Sequence, residues 1–102
     1  MPEYRLSRRA DTDLEPIAEF SIQEFGITRA RQYIEGLDHC FQTLAETPLI
    51  GREANYLIPE VRRFVYQAHV VFYKQTDQGV LIVRVLHRRM DVDRHLDKDD
   101  LP

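Results

Sequence analysis

Val61-Arg62-Arg63-Phe64-Val65-Tyr66, His69-Val70-Val71-Phe72-Tyr73-Lys74 and Val80-Leu81-Ile82-Val83-Arg84-Val85-Leu86-His87 stand close together in the C-terminal half of the chain. All three runs are rich in β-branched and aromatic residues, which suit a pleated surface buried on at least one side. Gln67-Ala68 separates the first two, a tight connection without the usual glycine, and Gln75-Thr76-Asp77-Gln78-Gly79 separates the last two as a hairpin turn. Strands over 61–66, 69–74 and 80–87 joined this way form an antiparallel meander. The unbroken apolar run Val80–Val83 suits a central strand covered on both sides.

Upstream, residues 48–60 contain Pro48, Gly51 and Pro59 and show no period, which predicts a loop. Ala30, Tyr33, Ile34, Leu37, Phe41, Leu44 and Ala45 repeat every three or four residues and predict a helix over 28–46, stopped by Thr47-Pro48. Gly36 lies inside it, at a cost of ~1 kcal/mol relative to alanine or as a point of close approach for the first helix. Leu14, Ile17, Ala18, Ile22 and Phe25 predict that first helix over 12–25. Thr12 and Glu15 have the spacing of a capping box, and a start there keeps Pro16 in the first turn, where it does little harm. Gly26 ends this helix, and so short a connection to the next requires an antiparallel helical hairpin. Residues 3–7, Glu-Tyr-Arg-Leu-Ser, alternate as a first strand, and residues 91–102 form a charged tail. The order β-α-α-β-β-β is that of a two-layer α+β domain spanning 1–102, an antiparallel sheet covered on one face by the helical hairpin.

Composition agrees with one domain. The chain has 102 residues, 43% of them hydrophobic and 30% charged, enough for a core without staples. A single cysteine, Cys40, excludes a disulfide framework and a zinc site built on paired cysteines. There is no signal-peptide pattern and no apolar run of membrane-spanning length, so a cytoplasmic protein is expected. The net charge of -3 argues against a general nucleic-acid binder, but it is an average. Residues 1–51 carry five basic and nine acidic side chains, a net of -4. Residues 61–89 carry Arg62, Arg63, Lys74, Arg84, Arg88 and Arg89 against Asp77 alone, a net of +5. From Met90 onward, five aspartates face Arg94 and Lys98, a net of -3.

Three groups of residues, taken in order, resemble the ParE branch of the RelE/ParE superfamily, the toxins of bacterial type II toxin–antitoxin pairs. They are Tyr4-Arg5-Leu6-Ser7 with Ala10, Asp13-Leu14 and Ile17; Ala30, Tyr33, Leu37, Phe41, Leu44-Ala45, Pro48 and Gly51-Arg52; and Arg62-Arg63-Phe64, His69–Tyr73 and the closing stretch Val83–Asp91. The last, with Arg84-Val85-Leu86-His87 and Arg89-Met90-Asp91, is the most specific. The resemblance covers about Tyr4 to Leu96; Pro16, Phe25-Gly26 and Gln67-Ala68 depart from the family pattern. It implies inhibition of DNA gyrase or a related type II topoisomerase by non-catalytic binding, neutralisation by a ParD-like antitoxin, and a role in plasmid stabilization. It further implies no cofactor, no metal, no membrane and no stable direct nucleic-acid binding by the toxin alone.

Arg84, His87, Arg88, Arg89, Met90, Asp91 and Arg94 are then the expected target-binding residues. Tyr33, Leu37, Arg62, Arg63, Phe72 and Tyr73 are the expected antitoxin-binding residues, beside a groove between hairpin and sheet. The alternative is a RelE-like ribosome-dependent messenger-RNA endonuclease, metal-free, using His87 with Arg63 or Arg84 as base and cations. Alternation places Val83, Val85 and His87 on one face of the last strand and Arg84, Leu86 and Arg88 on the other, and Asp91 and Asp93 would repel a phosphate. For His87 a second reading stays open, a strand-end hydrogen bond to a neighbour such as Asp91; for the arginines, pairing with the acidic helices or tail. Cys40 reads as a small semi-buried residue and the tail aspartates as solvated, lacking the glycine and terminal glutamate of a calcium loop.

Overall fold

A computed structural model describes residues 1–55 and 58–90. The chain forms β1 (Glu3–Leu6), α1 (Arg8–Phe25), α2 (Ile27–Glu46), β2 (Arg52–Glu53), β3 (Val61–Tyr66), β4 (His69–Thr76) and β5 (Gly79–His87). The strands make one sheet in the order β1-β5-β4-β3-β2. The α+β architecture, with the helical hairpin on one face, is the expected one. No helix among the described residues is long and apolar enough to cross a membrane.

The sheet is mixed, because β1 pairs parallel to β5 while every other pair is antiparallel. The expected fully antiparallel sheet lacked one reversal. Arg52–Glu53, inside the stretch expected as loop, pairs antiparallel with β3. This added turn of direction brings the end of the meander back running the same way as β1. At the start of β5, Gly79 has φ 149° and faces the Glu3 backbone so closely that any Cβ would collide with it. Only glycine allows that parallel pairing.

The first helix begins four residues earlier than Thr12, because Ser7 is a better cap. Its hydroxyl accepts from Ala10 N at 3.0 Å and donates to the Val83 carbonyl at 2.7 Å, while its own N–H donates to the Ile82 carbonyl at 2.9 Å. One serine thus ends β1, starts α1 and extends the edge of β5. Ser7 is therefore not the last residue of the strand, and Thr12 lies inside the helix, donating to the Arg8 carbonyl at 3.1 Å. Pro16 consequently sits mid-helix, where a missing donor and a ring clash cost ~3 kcal/mol. The apolar face of α1 offsets this by burying Ala10 and Ile17. Ile22 and Phe25, counted above on that face, are exposed.

Two apolar clusters lie on opposite sides of the sheet. Ala10, Ile17, Leu37, Phe41 and Leu44 pack on Val71, Tyr73, Ile82 and Val85 beneath the helices. On the other side Ala54 and Ile58 pack with Val61, Val70, Phe72, Val83 and Leu86. Burying each of these larger side chains contributes roughly 1.5–3 kcal/mol. Strands β4 and β5 run to Thr76 and back to Gly79, past the expected limits of 74 and 80. A register shift between Phe72 and Tyr73, which pair with Arg84 and Ile82, leaves Val83 as an extra residue on β5. It resets the alternation, so Val83 and Val85 belong to opposite clusters rather than to one face. Gly36 admits the Tyr66 side chain of β3, whose hydroxyl occupies the space of a Cβ, rather than α1.

Candidate partner-binding groove

Where β1 stops, the outer edge of β5 would be left open. Asp13, one turn into α1, fills that gap. Its carboxylate accepts from Arg84 Nε at 2.8 Å, from Arg84 Nη2 at 2.9 Å and from Val85 N at 3.0 Å. The fork geometry of arginine matches a carboxylate with two parallel bonds. The pair is little exposed, at 10% for Arg84 and 13% for Asp13. It joins the first helix to the last strand at the mouth of a groove.

That groove has a volume of about 810 Å³ and runs between the helical hairpin and the C-terminal end of β5. One wall is α1, with Pro16, Ile17, Phe20 and Phe25; Arg29, Gln32 and Tyr33 of α2 continue it. The other is Tyr66, the Gln67-Ala68 turn, His69, Val85, His87 and Met90. Its rim is apolar and open, with Phe20 and Phe25 each 58% exposed and Met90 38%.

The floor is a chain of aromatic contacts. The Tyr33 hydroxyl lies 2.6 Å from His69 Nδ1, and its ring packs 5.5 Å from Tyr66. His69 meets His87, its cross-strand partner, edge to face at 5.4 Å. Burial lowers the His69 pKa to about 4, with the neighbouring His87 acting in the same direction. At neutral pH His69 is therefore uncharged, its Nδ1 sharing a hydrogen bond with the Tyr33 hydroxyl, which also reaches the Tyr66 carbonyl at 3.4 Å. Burial also raises the Tyr33 hydroxyl, keeping it protonated. Gln67 turns the chain between β3 and β4 with φ 51°, the left-handed conformation that glycine usually serves. Arg88 braces this turn, its N–H donating to the Ala68 carbonyl at 2.9 Å and Nη1 to the Gln67 carbonyl at 3.3 Å.

The family model for the "ParE toxin of type II toxin-antitoxin system, parDE" matches residues 4–92. The chain belongs to the ParE toxin family. It is 39% identical over 94 residues to "Toxin ParE1" of Mycobacterium tuberculosis (strain ATCC 25618 / H37Rv), covering 91% of this chain and 96% of that protein. Over 96 residues it is 40% identical to "Toxin ParE1" of Caulobacter vibrioides, covering 94% and 99%. The solved "Chromosomal ParDE TA system from P. aeruginosa" shares the fold, with a TM-score of 0.72 at 18% identity, over 85% of this chain and 96% of that one.

Within this ParE-family chain the expected site residues fall in distinct places. His87 and Met90 line the groove, and Arg88 and Arg89 are exposed beside it. Arg84 is tied to Asp13 at the sheet edge. Asp91 and Arg94 lie outside the described residues, as does the suggested His87–Asp91 bond; within them His87 Nδ1 accepts from Arg89 N at 3.1 Å. Of the antitoxin set, Tyr33 is in the groove floor. Leu37, Phe72 and Tyr73 are core side chains with no surface to offer. The Tyr73 hydroxyl donates to the Pro48 carbonyl and accepts from Gly51 N, each at 2.8 Å, fastening the loop after α2. Arg62 donates to the Gly51 carbonyl at 2.7 Å and lies 3.6 Å from Glu53. Arg63 stacks 5.6 Å from the Phe72 ring on the opposite face of the sheet.

The nuclease set of His87, Arg63 and Arg84 is thus not brought together: one lies in the groove, one on the far face and one in a bridge. Among the described residues no group of three metal-ligating side chains forms. Cys40 is buried and its thiol is pushed up to about 11, so it stays protonated. The groove residues missed by sequence reasoning include Pro16, Phe20, Phe25, Tyr66, Gln67 and His69. Phe20 carried a signal, being an aromatic residue outside the apolar repeat of α1.

Proposed function

We propose that this ParE-type toxin acts in the cytoplasm on DNA gyrase or a related type II topoisomerase, by binding rather than catalysis, and that a ParD-like antitoxin neutralises it. The observation that carries this reading is the open apolar groove, which joins the aromatic floor of Tyr33, Tyr66 and His69 to the exposed Arg88-Arg89-Met90 end of β5. Membership of the ParE family supports the toxin and antitoxin roles. An amphipathic segment of the antitoxin lies along the groove with apolar side chains against Phe20 and Phe25, the helix-in-groove mode of recognition. His87, Arg88, Arg89 and Met90 contact the target. The separation of His87 from Arg63 and Arg84 supports binding over phosphodiester cleavage, which needs acid, base and cation on one phosphate.

Purified toxin added to gyrase in a supercoiling assay is expected to block supercoiling and accumulate cleaved complexes. Arg88→Ala/Arg89→Ala should weaken that effect without changing the fold seen by circular dichroism. Supercoiling untouched at saturating toxin would remove gyrase as the target.

A further inference from the structure

Apolar contacts are not directional, so an apolar groove by itself accepts many amphipathic helices. Discrimination needs a charged or polar group that a wrong partner leaves unmatched. Among the described residues the groove lining holds, apart from its two histidines, one carboxylate and one guanidinium, those of Asp13 and Arg29. The Asp13 carboxylate is taken by Arg84 and Val85 N. Arg29 is exposed, and no carboxylate among the described residues pairs with it. It stands in the first turn of α2, which holds no acidic residue, and a cation at that end opposes the helix dipole. The helical wall therefore presents a positive charge that the chain itself leaves unmatched. Arg29 and Tyr33 are four residues apart on α2, so they share a face and lie about 6 Å apart along its axis.

We propose that Arg29 selects which antitoxin the groove accepts: the segment seated there is an amphipathic helix with a carboxylate on the flank of its apolar stripe, and that carboxylate pairs with Arg29. In a helix lying along α2 the acidic residue stands three or four positions from an apolar anchor, which rests over Tyr33 while the carboxylate meets Arg29. Phe20 and Phe25 supply the apolar contacts that hold any such helix, and Arg29 tells one helix from another. A partner with lysine at the flanking position sets like charges against each other, and a partner with an apolar residue there covers the guanidinium without pairing it. This inference rests on the groove being the antitoxin's seat and deepens that reading by naming the charge its occupant carries.

The test is selection on the full chain from a displayed library of helical peptides, with an apolar stripe held fixed and each flanking position free to be Glu, Gln or Lys. Enrichment of Glu at one flanking position is expected. With Lys at that position the same peptide, titrated by fluorescence anisotropy, should bind at least about tenfold more weakly. Arg29→Glu should invert the preference, so that the Lys peptide becomes the tighter one. Arg31→Glu makes the same change of charge on α2 outside the groove lining and should leave the preference for Glu intact. Arg29, Arg31, Phe20 and Phe25 are all exposed, so these variants keep the fold, checked by far-ultraviolet circular dichroism. Phe20→Ala/Phe25→Ala should weaken every selected peptide at least about tenfold, the scale expected on losing an interface anchor. No binder at all, or binders indifferent to the phenylalanine substitutions, would remove the groove as the antitoxin's seat and this inference with it. Binders that need the phenylalanines but show no preference for Glu, or keep it in Arg29→Glu, overturn the role of Arg29 alone and leave the groove reading standing.

Discussion

Removing Asp13 tests the logic of the whole sheet edge. In Asp13→Ala the Arg84 guanidinium loses two bonds, at 2.8 and 2.9 Å, and Val85 N loses its acceptor at 3.0 Å. Breaking a buried pair by removing one partner costs ~3–5 kcal/mol, and an orphaned N–H adds ~1–3 kcal/mol where water cannot reach it. With 13% of Asp13 and 10% of Arg84 exposed, water reaches part of the site, which places the loss at the lower end, ~3 kcal/mol. Domains of this size have ~5–15 kcal/mol in all, and each kcal/mol shifts Tm by ~4–8 °C, so a drop of ~12–24 °C is expected. Asp13→Asn keeps an acceptor for Val85 N and should lose about half as much. Asp13→Leu/Arg84→Met removes both charges together and should lose less than the two single changes summed, by ~2–3 kcal/mol. Urea unfolding followed by far-ultraviolet circular dichroism yields all five values, those of Asp13→Leu and Arg84→Met singly included. A loss under ~1 kcal/mol for Asp13→Ala, or no coupling in the cycle, would place the pair among ordinary surface ion pairs and refute the argument.

Stability should also fall with acid through His69. Its pKa is lowered from 6.5 to about 4, so between those values the unfolded chain binds a proton that the folded chain does not, and stability is lost as pH drops through that window. Histidine titration by NMR should find this depressed value and should see it rise in His87→Gln; a value near 6.5 would contradict the burial argument. Gly36→Ala gains ~1 kcal/mol of helix propensity but overpacks against Tyr66, for ~1–3 kcal/mol. It should therefore destabilise the protein yet stabilise a Tyr66→Leu background, and the same sign in both would show that Tyr66 is not the obstacle. Tyr73→Phe leaves the Pro48 carbonyl and Gly51 N without their shared hydroxyl and should cost ~2 kcal/mol in urea unfolding with the fold retained; a neutral result would mean that the loop is held by other contacts.

The amino-acid sequence alone determined the element types, the meander, the helical hairpin and the family, because these rest on local signals. Apolar spacing, Thr47-Pro48 and the runs from Val61 to His87 each act within a few residues. Local signals also misplaced the start of α1: Thr12–Glu15 has the right spacing, but Ser7 caps the helix because it also bonds Val83, far away in the chain. The direction of β1 depended on a two-residue strand, too short to leave a pattern, and the alternation along β5 on a register shift set by its neighbour β4. The functional residues divided in the same way. Arginines in the basic stretch look equivalent as letters, yet Arg84 is consumed by Asp13, Arg62 by Gly51 and Glu53, and Arg63 by Phe72, while Arg88 and Arg89 flank the groove. Tertiary structure decides such matters because burial and pairing depend on residues brought together from distant positions. Sequence determined which groups the chain possesses; only the folded arrangement determined which of them still face outward.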